Sequence, residues 1–368
     1  MPALRYWVHG VIRVMTIPHI SASAIKSGPM NFVRQQRRAV ILTGTIITGN
    51  VLIWIAALFT FRERNILLTT AFMAYLFGLR HALDADHIAA IDNVTRRLVA
   101  EKKPALTAGL FFSLGHSTIV VLLSIMVAAG FTHAQRSFPA LESTGAVIGT
   151  AVSAIFLFGI AMANLLVLRQ TIDLMRNPGH ANGGNAAVGT VGPLTRLLRP
   201  LLRCVRAGWQ MYPVGVLFGL GFDTATEIGL LGIAAAAAVN HLPIWSIMLF
   251  PALFTAGMTL VDTADGILMC QAYGWALIHP MRKAIYNLTM TGLSIILALS
   301  VALIESLDVA RSQWKLHGWL WRLVRSVNGA GDWEGLGLLA VVLFAVGFAA
   351  AWLLNRRRER MFAAQTVS

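Results

Sequence analysis

Residues 78–93, GLRHALDADHIAAIDN, place two imidazoles and several carboxylates inside an otherwise apolar run. The apolar run before this stretch starts near Ile66, and an apolar chain resumes near Ala105. Charged groups at membrane depth are costly and usually functional. The stretch therefore predicts a membrane-spanning segment that contains a polar site.

The composition of the whole chain agrees with a membrane protein. Of 368 residues, 57% are hydrophobic and only 12% are charged. Windows of about 20 apolar residues predict an all-α, polytopic membrane protein with about eight transmembrane helices. In chain order, the predicted spans 1 to 8 cover residues 40–60, 66–91, 106–130, 145–168, 212–239, 243–271, 286–305 and 335–354.

Basic residues predict the orientation of these spans. One set of alternate loops and termini carries 22 Lys and Arg and the other set carries 7, while Arg80 lies within span 2. The positive-inside rule then places both termini in the cytoplasm. We expect a cytoplasmic N-terminal segment over 1–38, a transmembrane domain over 39–355 with a flexible loop at about 169–211, and a cytoplasmic tail over 356–368. The formal charge of +14 then reports topology and contact with anionic lipid rather than nucleic-acid binding.

Titratable side chains are concentrated on four of the predicted spans. These spans share three histidines and six carboxylates, which need mutual pairing or a bound cation at this depth. Imidazole nitrogen with carboxylate oxygen suits borderline divalent metals such as nickel, cobalt, zinc and ferrous iron. The polar residues are His81, Asp84, Asp86 and His87 in span 2, His116, Ser117 and Thr118 in span 3, Asp223, Thr224, Thr226 and Glu227 in span 5, and Asp262, Thr263 and Asp265 in span 6.

Helical spacing gives these residues different orientations. In a regular helix, His81, Asp84 and His87 form a row in steps of about 60°, whereas Asp86 lies about 140° from His81. Either the helix is irregular here, or Asp86 has a separate task, such as pairing with Arg80 or holding an imidazole.

A short internal similarity predicts an inverted repeat. LFGLRHALDADHIAAI at 76–91 resembles LFGLGFDTATEIGLLGI at 217–233, and FFSLGHSTIVV at 111–121 resembles LFTAGMTLVD at 253–262. Spans 2 and 5 cross in opposite directions if all eight helices are present. A site near the midplane between the two repeats is then expected.

Four motifs in order carry a family resemblance. RHALDADHI, FFSLGHSTIV, LGFDTATE and GMTLVDTADG resemble those of the nickel/cobalt transporter family. The resemblance implies a high-affinity, low-capacity permease in the cytoplasmic membrane, with His81, Asp86 and His87 central to transport. In that family, a residue of span 1 and the position of Leu83 tune nickel against cobalt. Asn50, rather than His, is the span 1 candidate here and favours nickel.

We therefore expect uptake of nickel, with cobalt as a second cargo, across the cytoplasmic (inner) membrane. The expected partners are the ion and membrane lipid, with no nucleic acid and no cofactor beyond the transported ion. The predicted metal-binding residues are His81, Asp84, Asp86, His87 and His116. The predicted translocation path comprises Asn50, Ser117, Thr118, Asp223, Thr224, Glu227, Asp262 and Asp265.

Two other functions fit the sequence less well than transport does. An intramembrane metal-dependent enzyme of the common protease type would need His-Glu-x-x-His, which the sequence lacks. A divalent-cation channel would have to release its ion quickly, and imidazole–carboxylate chelation disfavours that. The sequence also lacks a Walker P-loop, so we expect no ATP hydrolysis by that route.

Overall fold

The computed structural model describes residues 29–129, 147–166, 168–169, 205–221, 225–276, 280–319 and 321–322, with residues 342, 343 and 346 as isolated positions. These residues are helical or lie in turns and short connections, and no strand occurs among them. The backbone divides into two units, residues 1–42 and residues 43–368. The helices below all lie in the second unit, apart from the beginning of the first helix.

The described helices overlap predicted spans 1 to 7, although several of them extend beyond the predicted bounds. They are, in chain order, α1 (Pro29–Phe61), α2 (Asn65–His81), α3 (Ala85–Ala100), α4 (Ala108–Ala128), α5 (Val147–Leu166), α6 (Met211–Phe218), α7 (Ala225–Val239), α8 (Ile244–Ile247), α9 (Leu249–Ala276) and α10 (Pro280–Trp314).

Five helical stretches within the described residues are long and apolar enough to cross a membrane. A sixth is obtained if α2 and α3 form one bent span. The chain is therefore an all-helical, multi-pass membrane protein. Most of predicted span 8 and most of the predicted loop at 169–211 lie outside the described residues. The five stretches are Gln36–Phe61, Ala108–Ala128, Val147–Leu166, Ile244–Ala272 and Thr291–Arg311.

Span 2 is broken rather than continuous. Helix α2 ends at His81, α3 begins at Ala85, and their axes differ by 52°. Between them, the N–H of Leu83 bonds to the carbonyl of Arg80 at 3.0 Å, and the N–H of Asp84 bonds to that of His81 at 3.0 Å. The irregular alternative is therefore the correct one, and the single row of His81, Asp84 and His87 does not form. Broken helices are tolerated at membrane depth where protein surrounds them.

Span 5 repeats this break. Helix α6 ends at Phe218, and the N–H of Gly221 bonds to the carbonyl of Phe218 at 3.0 Å. This is the same turn that Asp84 makes with His81, 137 positions earlier in the chain. The first half-helices of spans 2 and 5 therefore end in the same way.

Four glycines lie where helices of the two predicted repeats pack closely: α2 against α9, and α6 against α4. We call the two repeats the halves of the molecule. A Cβ added to Gly78 of α2 would lie 2.0 Å from the carbonyl oxygen of Phe254 in α9. A Cβ added to Gly215 of α6 would lie 1.9 Å from that of Phe112 in α4. Gly257 and Gly115 meet the backbones of α2 and α6 in the same reciprocal way. Small residues at such positions let membrane helices approach closely.

This reciprocity defines a two-fold relation. The relation carries α2 onto α6 and α4 onto α9, and it also carries α9 back onto α4. The contacts pair Gly78 with Gly215, whereas the sequence similarity aligned Gly78 with Gly219. The register inferred from sequence was therefore wrong by four residues, or about one helical turn.

Two buried apolar clusters lie on either side of the site. One cluster includes Phe112 and Phe218, and the other includes Phe254 and Leu230. Their aromatic rings contact the predicted metal-binding residues, since the ring centroids of His87 and Phe112 are 4.8 Å apart and those of His81 and Phe254 are 5.6 Å apart. The site is thus enclosed by apolar side chains.

Candidate metal centre

Three histidines from three helices meet at the break in span 2. His81 ends α2, His87 lies in the first turn of α3, and His116 projects from α4. Their ring centroids are 4.7 to 4.9 Å apart, and each residue is at most 3% exposed. One nitrogen from each ring lies within 4.8 Å of the others. We call these three residues the imidazole cluster.

Glu227 of α7 adds a carboxylate to the imidazole cluster. Its Oε1 lies 2.9 Å from Nε2 of His116 and 3.8 Å from Nε2 of His81. The same two nitrogens are 2.9 Å apart. These three atoms form a triangle whose corners are all about 1.9 Å from one central point, close to the bond length of about 2.0–2.2 Å for nitrogen and oxygen ligands on a divalent metal. The triangle can therefore hold one ion.

Buried atoms without hydrogen bonds also point to a cation. Both ring nitrogens of His87 and Nδ1 of His116 make no hydrogen bond, although both residues are buried. Oδ2 of Asp262 in α9 makes none either and lies 3.5 Å from Nδ1 of His87. Buried polar groups are normally paired, and an ion held at the imidazole cluster would supply a partner for one nitrogen of His87.

Asp84 and Asp86 lie beside the imidazole cluster in different ways. Oδ2 of Asp84 lies 3.1 Å from Nδ1 of His81, on the side of the ring away from His116. Thr226 Oγ1 approaches the same nitrogen at 3.3 Å. Oδ1 of Asp86 accepts a hydrogen bond of 2.9 Å from the backbone N–H of His87. A carboxylate placed as Asp84 is can orient a metal-binding imidazole, whereas Asp86 bonds to the backbone.

The predicted path residues are distributed around the imidazole cluster. Asn50 of α1 lies apart from it, because its Oδ1 accepts a hydrogen bond of 3.1 Å from Tyr75, almost two turns before His81. Ser117 is buried beside His116, and its hydroxyl makes no hydrogen bond. The hydroxyl of Thr118 instead lies 2.8 Å from that of Tyr212. Asp223 and Thr224 lie outside the described residues.

Asp262 and Asp265 extend from the imidazole cluster along α9. Asp262 is 1% exposed and faces His87. Oδ2 of Asp265, three residues further along the helix, is buried without a hydrogen bond. The two carboxylates share one face of the helix, and they continue the polar surface away from the imidazoles.

Sequence reasoning gave no role to a polar group on α3. Asp92, Asn93 and Arg96 are buried and hydrogen-bonded to other helices. Arg96 had been counted with the loop between spans 2 and 3, because span 2 was predicted to end at residue 91. Asn164, a polar residue within predicted span 4, donates to Asn93 at 2.7 Å. An asparagine within an apolar span was the feature of the sequence from which a buried polar contact could have been predicted.

The fold and site define a class before any relative is compared. A multi-pass helical membrane protein with a buried imidazole–carboxylate centre at a broken helix is typical of an intramembrane cation-binding protein. A family model described as high-affinity nickel-transport protein matches residues 67–354. The chain belongs to this family.

Individual relatives agree with the family match. The high-affinity nickel transport protein of Cupriavidus necator is 45% identical over 89% of this chain and 94% of that protein. The nickel-transport protein NixA of Helicobacter pylori strain 26695 is 39% identical over 77% of this chain and 87% of its own length. The cobalt transport protein NhlF of Rhodococcus rhodochrous is 39% identical over 62% of this chain and 67% of its own length. No solved structure matches the chain.

Proposed function

We propose that this chain takes up nickel ions, with cobalt as a second cargo, across the cytoplasmic membrane. The proposal rests above all on the triangle of His81 Nε2, His116 Nε2 and Glu227 Oε1, whose sides of 2.9, 2.9 and 3.8 Å suit one divalent metal. Family membership supports transport rather than catalysis. The relatives named for nickel and for cobalt support this pair of cargoes.

In this proposal, His81, His116 and Glu227 bind the ion directly, and His87 is a fourth ligand. Asp84 orients His81 through Nδ1, and Asp86 fixes the first turn of α3 through the backbone of His87. Nitrogen-rich sites with carboxylate and open positions suit nickel and cobalt more than magnesium or calcium, which prefer oxygen ligands.

Asp262 and Asp265 provide the next positions for the ion after it leaves the imidazole cluster. Ser117 and Thr118, with Asp223 and Thr224 of the span 5 motif, complete the polar lining, while Asn50 belongs to the approach from α1. Carboxylate and hydroxyl oxygens can replace the water that a hydrated divalent ion loses when it enters a buried site.

The membrane potential is sufficient to drive uptake. With both termini in the cytoplasm, as the basic residues predict, the ion moves toward the negative side. An inside-negative potential of about 100 mV favours entry of a divalent cation by about 4.6 kcal/mol, which corresponds to roughly three orders of magnitude in concentration.

Uptake into proteoliposomes tests this function. We expect radioactive nickel to accumulate when a potassium diffusion potential makes the lumen negative, and accumulation to fall when the potential is collapsed. His87→Ala should abolish uptake because it removes a buried imidazole. His317→Ala, at an exposed position, is the matched control and should transport normally. Uptake by His87→Ala at the wild-type level would contradict the proposed site.

A further inference from the structure

Helix α3 is buried on all sides although it carries several polar residues. Asp92, Asn93 and Thr95 are completely buried, and Arg96 is 6% exposed. Polar side chains at this depth are destabilising unless they are hydrogen-bonded. These residues lie in the second half of α3, beyond the imidazole cluster.

Hydrogen bonds tie this half of α3 to two other helices. Ser294 Oγ of α10 donates to Asp92 Oδ2 at 2.5 Å. The Arg96 guanidinium donates to Thr291 of α10 at 2.7 Å and to Asn93 at 3.2 Å. Asn164 of α5 donates to the same Asn93 oxygen at 2.7 Å. We call these six residues the α3 network.

Arg96 joins the α10 contact at Thr291 to the α5 contact at Asn93 within the α3 network. Its rigid fork reaches across to α10 with one nitrogen and to Asn93 with another. Asn93 in turn is the point at which α5 is attached. A lysine could keep the charge but could not hold two partners in this fixed geometry.

The position of His87 depends on the orientation of α3. Neither ring nitrogen of His87 makes a hydrogen bond, so its ring is placed by the helix backbone and by packing. The break at residues 82–84 separates α3 from α2, so α2 does not continue into α3 as one rigid helix. The attachment of α3 to α5 and α10 therefore helps to set where His87 lies.

We propose that Arg96 is a positioning residue for the metal centre. Through the α3 network it holds α3 in the orientation that brings His87 against His81 and His116. Arg96 lies nine residues after His87, about 13 Å along the helix, so it acts without touching the ion. This inference rests on the proposed function, because it requires the imidazole cluster to bind metal.

Cobalt-loaded protein provides the test, because the visible spectrum of Co²⁺ reports the geometry of its ligands. Arg96→Lys and Thr291→Val should each shift the spectrum and weaken cobalt binding, because α3 would no longer hold His87 in place against His81 and His116. Helix content, measured by circular dichroism, should be unchanged. The double variant should lose less affinity than the sum of the two single losses, because both changes break one contact.

Matched controls separate positioning from a general effect on stability. Arg311→Lys removes a fork that binds Asp308, and Thr255→Val removes a hydroxyl that bonds only to its own helix among the contacts seen. Both should leave the spectrum unchanged. If Arg96→Lys does not fold, Thr291→Val alone decides the question.

The outcomes distinguish this inference from the proposed function. An unchanged spectrum and affinity in folded Arg96→Lys or Thr291→Val would overturn the positioning role while leaving the metal centre intact. If wild-type protein binds no cobalt through nitrogen ligands, the proposed metal centre itself is wrong, and the positioning role is overturned with it.

Discussion

Glu227 supplies a carboxylate oxygen that faces two imidazole nitrogens of the cluster at 2.9 and 3.8 Å. Asp84 contacts the opposite nitrogen of His81 at 3.1 Å. A ligand and an orienting group should respond differently to loss of charge. The ligand loses a direct bond to the ion, whereas the orienting group only loosens an imidazole.

We expect Glu227→Gln to weaken nickel binding more than Asp84→Asn does. Asp84→Asn should cost about 10- to 100-fold in affinity, as outer partners usually do, and Glu227→Gln should cost more than about 100-fold. Competitive titration of the detergent-purified variants would measure both. Asp308→Asn, which removes only the partner of Arg311, serves as the control. A smaller loss in Glu227→Gln than in Asp84→Asn would reverse the two assignments.

The single residues of the site were largely accessible from sequence. The three histidines stand out because imidazoles are rare in apolar spans, and all three are in the imidazole cluster. Glu227 was placed on the path, because its position on α7 beside His116 depends on how distant spans pack. Local spacing cannot supply that information, since residues 116 and 227 are brought together only by the tertiary fold.

At the scale of the helices, glycine contacts hold the two halves together. Gly78 and Gly215 occupy equivalent positions, each against a backbone carbonyl of the helix that crosses it. A side chain at either position would force the helix pair apart. Overpacking of this kind usually destabilises a protein by about 1–3 kcal/mol, and backbone contacts leave little room for relaxation.

We expect Gly78→Ala and Gly215→Ala to lower the thermal unfolding temperature in detergent by similar amounts. An added Cβ would lie 2.0 Å or less from a carbonyl oxygen in each case. Gly232→Ala is the control, because nothing lies within 4 Å of its added Cβ and alanine favours helix. A loss at only one of the two tight positions would contradict the two-fold relation between the halves.

The break in span 2 could not be predicted from the sequence. HALDADH contains neither Pro nor Gly, the residues that usually signal a break. The turn at 82–84 is instead accompanied by tertiary contacts, such as that between Thr226 and His81. The register error has a similar cause, because Gly215 and Gly219 lie one turn apart and only the packing against α4 selects Gly215.

At the scale of the whole molecule, apolar helices surround a polar interior. Side chains such as Leu52 and Phe59 of α1 are 60% and 72% exposed and suit contact with lipid. The buried half-helix α3 brings His87 and the α3 network inside this apolar shell. The proposed ion-binding centre thereby lies away from both water and lipid, which would strengthen its electrostatic interactions with an ion.

The central claim is that one nickel ion binds among His81, His87, His116 and Glu227. A structure of nickel-loaded protein, with anomalous scattering recorded at the nickel edge, tests it most directly. We expect an anomalous peak about 2 Å from Nε2 of His81, Nε2 of His116 and Oε1 of Glu227. Loaded protein with its anomalous peak elsewhere, such as at the exposed His241 or His317, and none at the imidazole cluster, would contradict the claim.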